Sequence, residues 1–185
     1  YKGHNFNFTN TSSIANGTIA NNYWNHGDLT TTSNISSLNK AYPSEDTFKV
    51  RLVIVSNNAC ADTIEKQIVV YPQAKAKFVV NKDVQCFKQQ NFVFTNQSTV
   101  KHGQLSYSWN FADGVFSIDT NPTKKYIKDS VYNVRLISNT ENACKDTANK
   151  ILVLSVSPDA RFAIGKDSQC FRGNDFSFSN SSSVS

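Results

Sequence analysis

Apolar and polar residues alternate with a period of two along most of this chain, as strands with one face in a core require. Phe92, Phe94 and Asn96 fall on one face, and Val93, Thr95 and Gln97 on the other. Tyr132, Val134 and Leu136 alternate with Asn133, Arg135 and Ile137; Phe48, Val50, Leu52 and Ile54 keep the same phase earlier in the chain. The pattern predicts strands near 76–81, 91–96, 105–111, 114–118, 131–139 and 147–155. Turn chemistry separates them. Asp113-Gly114 reads as a tight hairpin, Asn121-Pro122 as a loop, and Thr140-Glu141-Asn142 as a hairpin tip. No segment carries helical periodicity.

The pattern repeats. Cys60 to Cys144 and Cys86 to Cys170 are both steps of 84 residues. Tyr42 matches Tyr126, Phe48 to Leu52 matches Tyr132 to Leu136, Phe78 matches Phe162, and Trp24-Asn25 matches Trp109-Asn110. Asn5 to Ser12 recurs as Asn91 to Ser98 and again as Asp175 to Ser182. A unit of this length is larger than a solenoid repeat and suits a self-sufficient sandwich domain. The expected division is a unit lacking its first strand over 1–73, a complete unit over 74–157, and the first two strands of a third over 158–185. That phase leads to the expectation of a window cut from a longer array. Trp24, Trp109, Phe92 and Phe94 are the expected core anchors.

Composition narrows the class. The chain has 185 residues, 39% hydrophobic, 12% aromatic and 18% charged, with net charge +5. Thirteen Phe, seven Tyr and two Trp supply enough bulk to argue against wholesale disorder. No apolar run reaches the roughly 20 residues of a membrane-spanning helix. The lysines are dispersed and interleaved with Asp, while the aromatics alternate inward. Nucleic-acid binding is therefore not expected. Positive charge serves solubility and edge protection.

Tyr107-Ser108-Trp109-Asn110-Phe111-Ala112-Asp113-Gly114, then Asn121-Pro122-Thr123-Lys124-Lys125-Tyr126, then Tyr132 to Leu136, resemble the PKD (polycystic kidney disease) domain family. The earlier unit departs from the pattern at Tyr23-Trp24-Asn25-His26-Gly27-Asp28-Leu29, with His for Phe and Leu for Gly, and lacks Asn-Pro. A longer, less regular hairpin is expected there. Gln85-Cys86 and Ala143-Cys144-Lys145-Asp146-Thr147 are similar to arrays in secreted Bacteroidetes proteins, including the large surface adhesins of gliding bacteria. The resemblance implies all-β, tandem immunoglobulin-like antiparallel sandwiches, a cell-surface location, and an adhesive or spacer role without catalysis.

Four Cys at two repeat positions suggest disulfides in an oxidising compartment. In a tandem immunoglobulin-like unit, Cys86 would lie at the pole where the chain leaves and Cys144 where it arrives. A strand of six residues spans about 20 Å, beyond the roughly 7 Å Cα reach of a bridge. Inter-unit pairing of Cys60, Cys86, Cys144 and Cys170 with cysteines outside this window is therefore favoured. A Cys86–Cys144 bridge is the alternative, and free thiols remain open.

Other candidate chemistry is thin. His26-Gly27-Asp28 reads as a surface turn, since the next unit has Phe111 in place of His26. No Gly-x-Ser-x-Gly elbow occurs, and the cysteines lack zinc spacing. Asp113 near Asp119 reads as a hydrogen-bonded turn rather than a calcium loop. Asn10, Asn96 and Asn180 read as hydrogen-bonders for the loop after each Phe-x-Phe strand. Asp62-Thr63-Ile64, Asp146-Thr147-Ala148 and Asp129-Ser130-Val131 resemble Bacteroidetes O-glycosylation acceptors at Thr63, Thr147 and Ser130. The alternative for these is an Asp that bonds backbone beside a strand-favouring Thr. No metal, cofactor or catalytic residue is expected. The expected partners are neighbouring repeats, with surface polysaccharide or another cell-surface protein as further candidates. The first reading is a segment of a long adhesin stalk or filament. The second is a binding or spacer module of a secreted polysaccharide- or protein-degrading enzyme.

Overall fold

The computed structural model describes residues 5–184. The chain divides into two compact units, residues 1–73 and 74–185. Its architecture is all-β, with antiparallel pairing dominant and one helical element, the single 3₁₀ turn Phe87–Gln89, among the described residues.

In the first unit the strands are β1 (Phe6–Thr9), β2 (Ile19–Asn25), β3 (Thr31–Ser33), β4 (Ser37–Lys40), β5 (Asp46–Ser56) and β6 (Ala61–Val70). They form a four-stranded sheet, β3-β2-β5-β6, and a two-stranded ribbon, β1-β4. Alternation decides which residues face inward. Trp24, Val50 and Leu52 form one buried cluster, and Tyr42, Phe48 and Val70 a second. The register of β2 on β5 shifts between Ile19 and Asn21.

The second unit begins with β7 (Phe78–Val80), β8 (Val84–Cys86), β9 (Phe92–Asn96), β10 (Leu105–Asn110), β11 (Phe116–Ser117), β12 (Thr123–Lys124), β13 (Ser130–Thr140) and β14 (Lys145–Ser155). A five-stranded sheet, β11-β10-β13-β14-β8, and a three-stranded sheet, β12-β9-β7, contribute to one core. The inner residues of the β-sandwich interdigitate. Phe78, Phe92 and Phe94 come from the smaller sheet; Trp109, Val134, Leu136, Leu152 and Leu154 come from the larger. Phe92, Phe94 and Trp109 are fully buried. Each such side chain contributes about 1.5–3 kcal/mol of burial. The rings meet tilted or edge-on, Phe94 to Trp109 at 5.3 Å and Phe78 to Trp109 at 5.0 Å between centroids.

After β14 come β15 (Pro158–Asp159), β16 (Phe162–Ile164), β17 (Phe178–Asn180) and β18 (Ser183–Val184). β15 pairs with β18 and β16 with β17. Phe162 and Phe178 are each 66% exposed, so these ribbons bury little.

Three expectations need correction. Val84–Cys86 is a strand, which alternation did not mark; it pairs in parallel with the end of β14, Ser155 opposite Cys86. Three residues are too few for a periodicity, and the partner lies far along the chain. Thr123–Lys124, outside the expected strands and just after the Asn121-Pro122 loop, pairs with β9. The hairpin of the first unit is neither longer nor less regular. His26 N–H donates to Thr30 O at 3.0 Å as Phe111 N–H donates to Val115 O at 3.2 Å, so both turns have the same length.

Candidate functional site

The most conserved geometry between the units surrounds the β2–β3 and β10–β11 turns. Each turn needs two residues with positive φ, which glycine adopts without strain. Gly27 and Leu29 take φ of 80° and 69°; Ala112 and Gly114 take 64° and 85°. Each unit thus retains one glycine, at opposite ends of its turn. The intervening aspartate meets a lysine from the strand that follows. Lys40 Nζ lies 2.7 Å from Asp28, and Lys124 Nζ lies 2.7 Å from Asp113. Burial works against the Asp28 carboxylate, but hydrogen bonds from Lys40 and Thr30 outweigh it and hold the group down at about 2. Asp113 also accepts Val115 N–H at 3.2 Å, while Asp119 accepts from Ser117 Oγ at 2.9 Å. The two aspartates therefore serve hydrogen-bonded turns. No cluster of three or more His, Cys, Asp or Glu suited to a metal occurs among the described residues.

Beneath each turn a tyrosine hydroxyl donates to the first turn residue. Tyr42 reaches His26 O at 2.9 Å, and Tyr126 reaches Phe111 O at 3.1 Å. Burial, and then the charge of Asp28, push the Tyr42 hydroxyl up to about 12. Burial and then Asp113 push Tyr126 up as well. The indoles complete the pattern: Trp24 Nε1 donates to Ile35 O at 3.3 Å and Trp109 Nε1 to Asp119 O at 2.8 Å.

His26 is not the surface residue expected from its turn. It is 1% exposed, tilted against Phe8 at 6.2 Å, and its Nε2 lies 3.1 Å from Thr32 Oγ1. Its Nδ1 is buried without a hydrogen-bond partner. Burial and then the Lys40 charge lower its pKa from 6.5, while Asp28 works the other way. It replaces Phe111 in the same core position.

The three repeated asparagines act alike. Ser12, Ser98 and Ser182 N–H each donate at 2.9 Å to the Oδ1 of Asn10, Asn96 and Asn180. These are Asx turns that end the Phe-x-Phe strand.

The cysteines occupy opposite poles of the second unit. Cys86 stands opposite Ser155, at the last residue of β14. Cys144 precedes Lys145, at the first, and near it Asp146 Oδ2 accepts Ala76 N–H at 2.9 Å as the chain arrives. The eleven residues of β14 hold these positions apart by roughly 35 Å at ~3.3 Å each. That overturns the Cys86–Cys144 alternative, given a limit of about 7 Å. All four cysteines are free thiols here, with Cys60, Cys86 and Cys170 exposed and Cys144 half-buried. Cys60 and Cys144 sit at hairpin tips where Ala59 and Ala143 take φ of 63° and 59°. Gln85, whose role the sequence reading missed, fixes the neighbourhood of Cys86. Its Oε1 accepts Asn91 N–H at 2.7 Å, and Gln169 holds Asp175 N–H at the same distance. The repeated Gln-Cys dipeptide was the available signal.

Thr63, Thr147 and Ser130 are all exposed. Asp62 accepts Thr63 N–H at 2.8 Å, and Asp146 holds the Ala76 backbone.

Residues 72–156 match the family described as the PKD domain. The PKD-matched segment spans β7 to β14 and includes Cys86, Cys144, Trp109 and the Asp113–Lys124 pair. Among solved structures, the PKD1 domain of Vibrio anguillarum Epp is 23% identical, with TM-score 0.41, over 46% of this chain and 96% of that one. The PKD1 domain of the Vibrio cholerae metalloprotease PrtV is 24% identical, with TM-score 0.39, over 46% and 98%. The fibronectin(III)-like modules of Clostridium thermocellum CbhA are 8% identical, with TM-score 0.41, over 82% and 85%. No curated protein matches the chain. No helix among the described residues is long and apolar enough to cross a membrane.

Proposed function

We propose that the chain is a structural and adhesive segment of a long extracellular repeat protein, a cell-surface adhesin stalk or filament of the kind found in gliding Bacteroidetes. It works mechanically and without catalysis. The observation that carries this reading is the recurrence of one constellation, Trp–Tyr–Asp–Lys around a tight turn, in a chain whose cysteines sit at repeat positions. Residues 1–73 and 74–157 are successive copies, and 158–185 opens a third. Its neighbours in the fibre are further repeats of the same chain.

Tension on such a unit runs along β13 and β14, whose long antiparallel ladder resists shear. Cys86 and Cys144, at opposite poles, would join successive units once oxidised and limit bending at each junction. Thr63, Thr147 and Ser130 are exposed enough to carry glycans that shield the strands beside them.

Two measurements on the native protein test this. Non-reducing peptide mapping is expected to show Cys144 joined to a cysteine of the preceding unit; Cys144 recovered with free thiol throughout would sink the stiffened-rod part. Pull-downs on chitin, cellulose and collagen are expected to be negative for these repeats. Firm retention on one of them would favour a binding module of a secreted degradative enzyme instead.

A further inference from the structure

The net charge is not shared among the repeats. Residues 74–157 hold eleven of the 19 Lys and Arg but six of the 14 Asp and Glu, so this unit alone carries the +5 of the chain. Folding sorts those charges further. Lys88, Lys124 and Lys150 are taken up by Asp159, Asp113 and Asp83, and Arg135 donates to Asn149 Oδ1 at 3.3 Å. Lys75, Lys77, Lys82, Lys125 and Lys128 have no acidic partner among the described residues. All five lie within four residues of β7 or β12, the two edge strands of the smaller sheet. Interleaved with Asp along the sequence, they are gathered on one side by the fold.

Phe78, Phe92 and Phe94 point into the core, so the residues alternating with them point out. Gln97 N–H donates to Lys77 O at 2.8 Å, Lys75 bridges to Thr99, and Thr123 lies opposite Val93. Lys125 follows Lys124, whose partner is Phe92, and so lies level with Asn91. These outward residues are all exposed, and none of them is acidic or aromatic. Lysines thus stand near both ends of β9, level with Gln97 and Asn91, roughly 20 Å apart at ~3.3 Å per residue. Between them Thr95, Gln97 and Thr123 offer hydroxyls and an amide. Lysines also protect sheet edges, yet the same face does without them elsewhere in the chain. In β1 and β4 its outward residues are Asn7, Thr9, Ser37 and Asn39. At a step of 84 residues, Asp159 replaces Lys75 and holds Arg161, the counterpart of Lys77, at 2.8 Å. The fold itself does not require the lysines.

We propose that the outer face of β12-β9-β7 binds a polysaccharide bearing carboxylate or sulfate groups, laid along β9. The lysines at the two ends meet its anionic groups, and Thr95, Gln97 and Thr123 hydrogen-bond its hydroxyls between them. Opposite charge draws the polymer in, and the nearest acids do not oppose it, since Asp83 is engaged by Lys150 and Asp113 by Lys124. Nucleic acid fits less well, because its bases need aromatic side chains to stack on. The two valines of this face, Val79 and Val93, are too few to anchor it in lipid. The polymer gives the adhesive segment a partner and rests on that reading of the chain.

Calorimetric titration of the full 185-residue chain with polygalacturonate, dextran sulfate and neutral dextran tests this. Expected is binding to one or both anionic polymers that weakens as salt rises, and none to dextran. Which of the two binds tells carboxylate from sulfate. Lys75→Gln with Lys77→Gln, and Lys125→Gln with Lys128→Gln, are each expected to weaken binding about fivefold, as loss of two exposed charge contacts does. The two losses should multiply, because the ends lie farther apart than the screening length of about 8 Å at physiological salt. Arg51→Gln with Lys66→Gln removes the same charge from exposed sites of the first unit and is expected to change binding by less than about twofold. Binding to neither anionic polymer overturns the proposal. So does equal weakening in the Arg51 and Lys66 variant, which would mean that net charge alone acts, or tighter binding of single-stranded DNA or phosphatidylglycerol vesicles than of either polymer. A chain that binds no polymer yet carries the Cys144 cross-link would lose the partner and keep the stalk.

Discussion

At the scale of single residues, the turn at Asp28 holds a paradox that its counterpart clarifies. Leu29 is almost wholly exposed and sits at φ 69°, where Gly114 sits in the second unit. A left-handed residue with a Cβ costs about 1 kcal/mol. Leu29→Gly is therefore expected to stabilise the first unit by about 1 kcal/mol, read as a higher denaturant midpoint. Gly27→Ala should do the opposite, because a Cβ there would lie 2.7 Å from Lys49 O. His26 sets the acid limit of the same unit. Its pKa is lowered on folding from 6.5, so the unfolded chain takes the proton more readily. The stability that neutral His26 contributes is complete above pH 6.5 and falls as pH drops below it. Asp28, held at about 2 against an ordinary 3.8, adds a second loss as pH falls below 3.8 toward 2. Exchanging His26 for Phe, the residue of the second unit, is expected to abolish the first step and leave the second. A titration of folding followed at Trp24 separates them; an unchanged profile in His26→Phe would refute the assignment.

Among elements, the Phe-x-Phe strands are ended by side chains rather than by sheet partners. Asn96 closes β9 by accepting Ser98 N–H, and Ser98 Oγ in turn meets Ser138 Oγ at 2.8 Å. Asn96→Ala removes an acceptor that an alanine cannot replace and is expected to cost about 1 kcal/mol. The same change at Asn180 should cost less, since β17 packs against no second sheet and its end is exposed. Chemical denaturation of the two variants, compared with the parent chain, gives the ranking. The short β8 shows the reverse dependence. It exists because β14 offers an edge and Gln85 clamps the loop beyond it.

For the whole molecule, Trp24 and Trp109 belong to different cores in different compact units. Fluorine NMR of the chain labelled with fluorotryptophan is expected to give one signal from each. Phe94→Ala empties a site between Trp109 and Phe78 and is expected to cost about 3–5 kcal/mol. It should lower the melting of the Trp109 signal and leave that of Trp24 in place. Joint loss of both signals would mean that the units unfold as one.

Much was legible before folding. Alternation at Phe92-Phe94 and Tyr132-Val134-Leu136 marked the core, because a strand's side chains point to opposite faces by geometry alone. The repeat, a step of 85 residues at this point, paired Trp24 with Trp109 as anchors of successive units. The Asx role of Asn10, Asn96 and Asn180 was legible too, since that bond closes within two residues. What stayed hidden depends on contacts between distant parts of the chain. The burial of His26 follows from Phe8 and Thr32 closing over it. The parallel pairing of β8 with the far end of β14 joins residues some seventy positions apart. Periodicity records which side of a strand is apolar; only the packed sandwich decides what covers it.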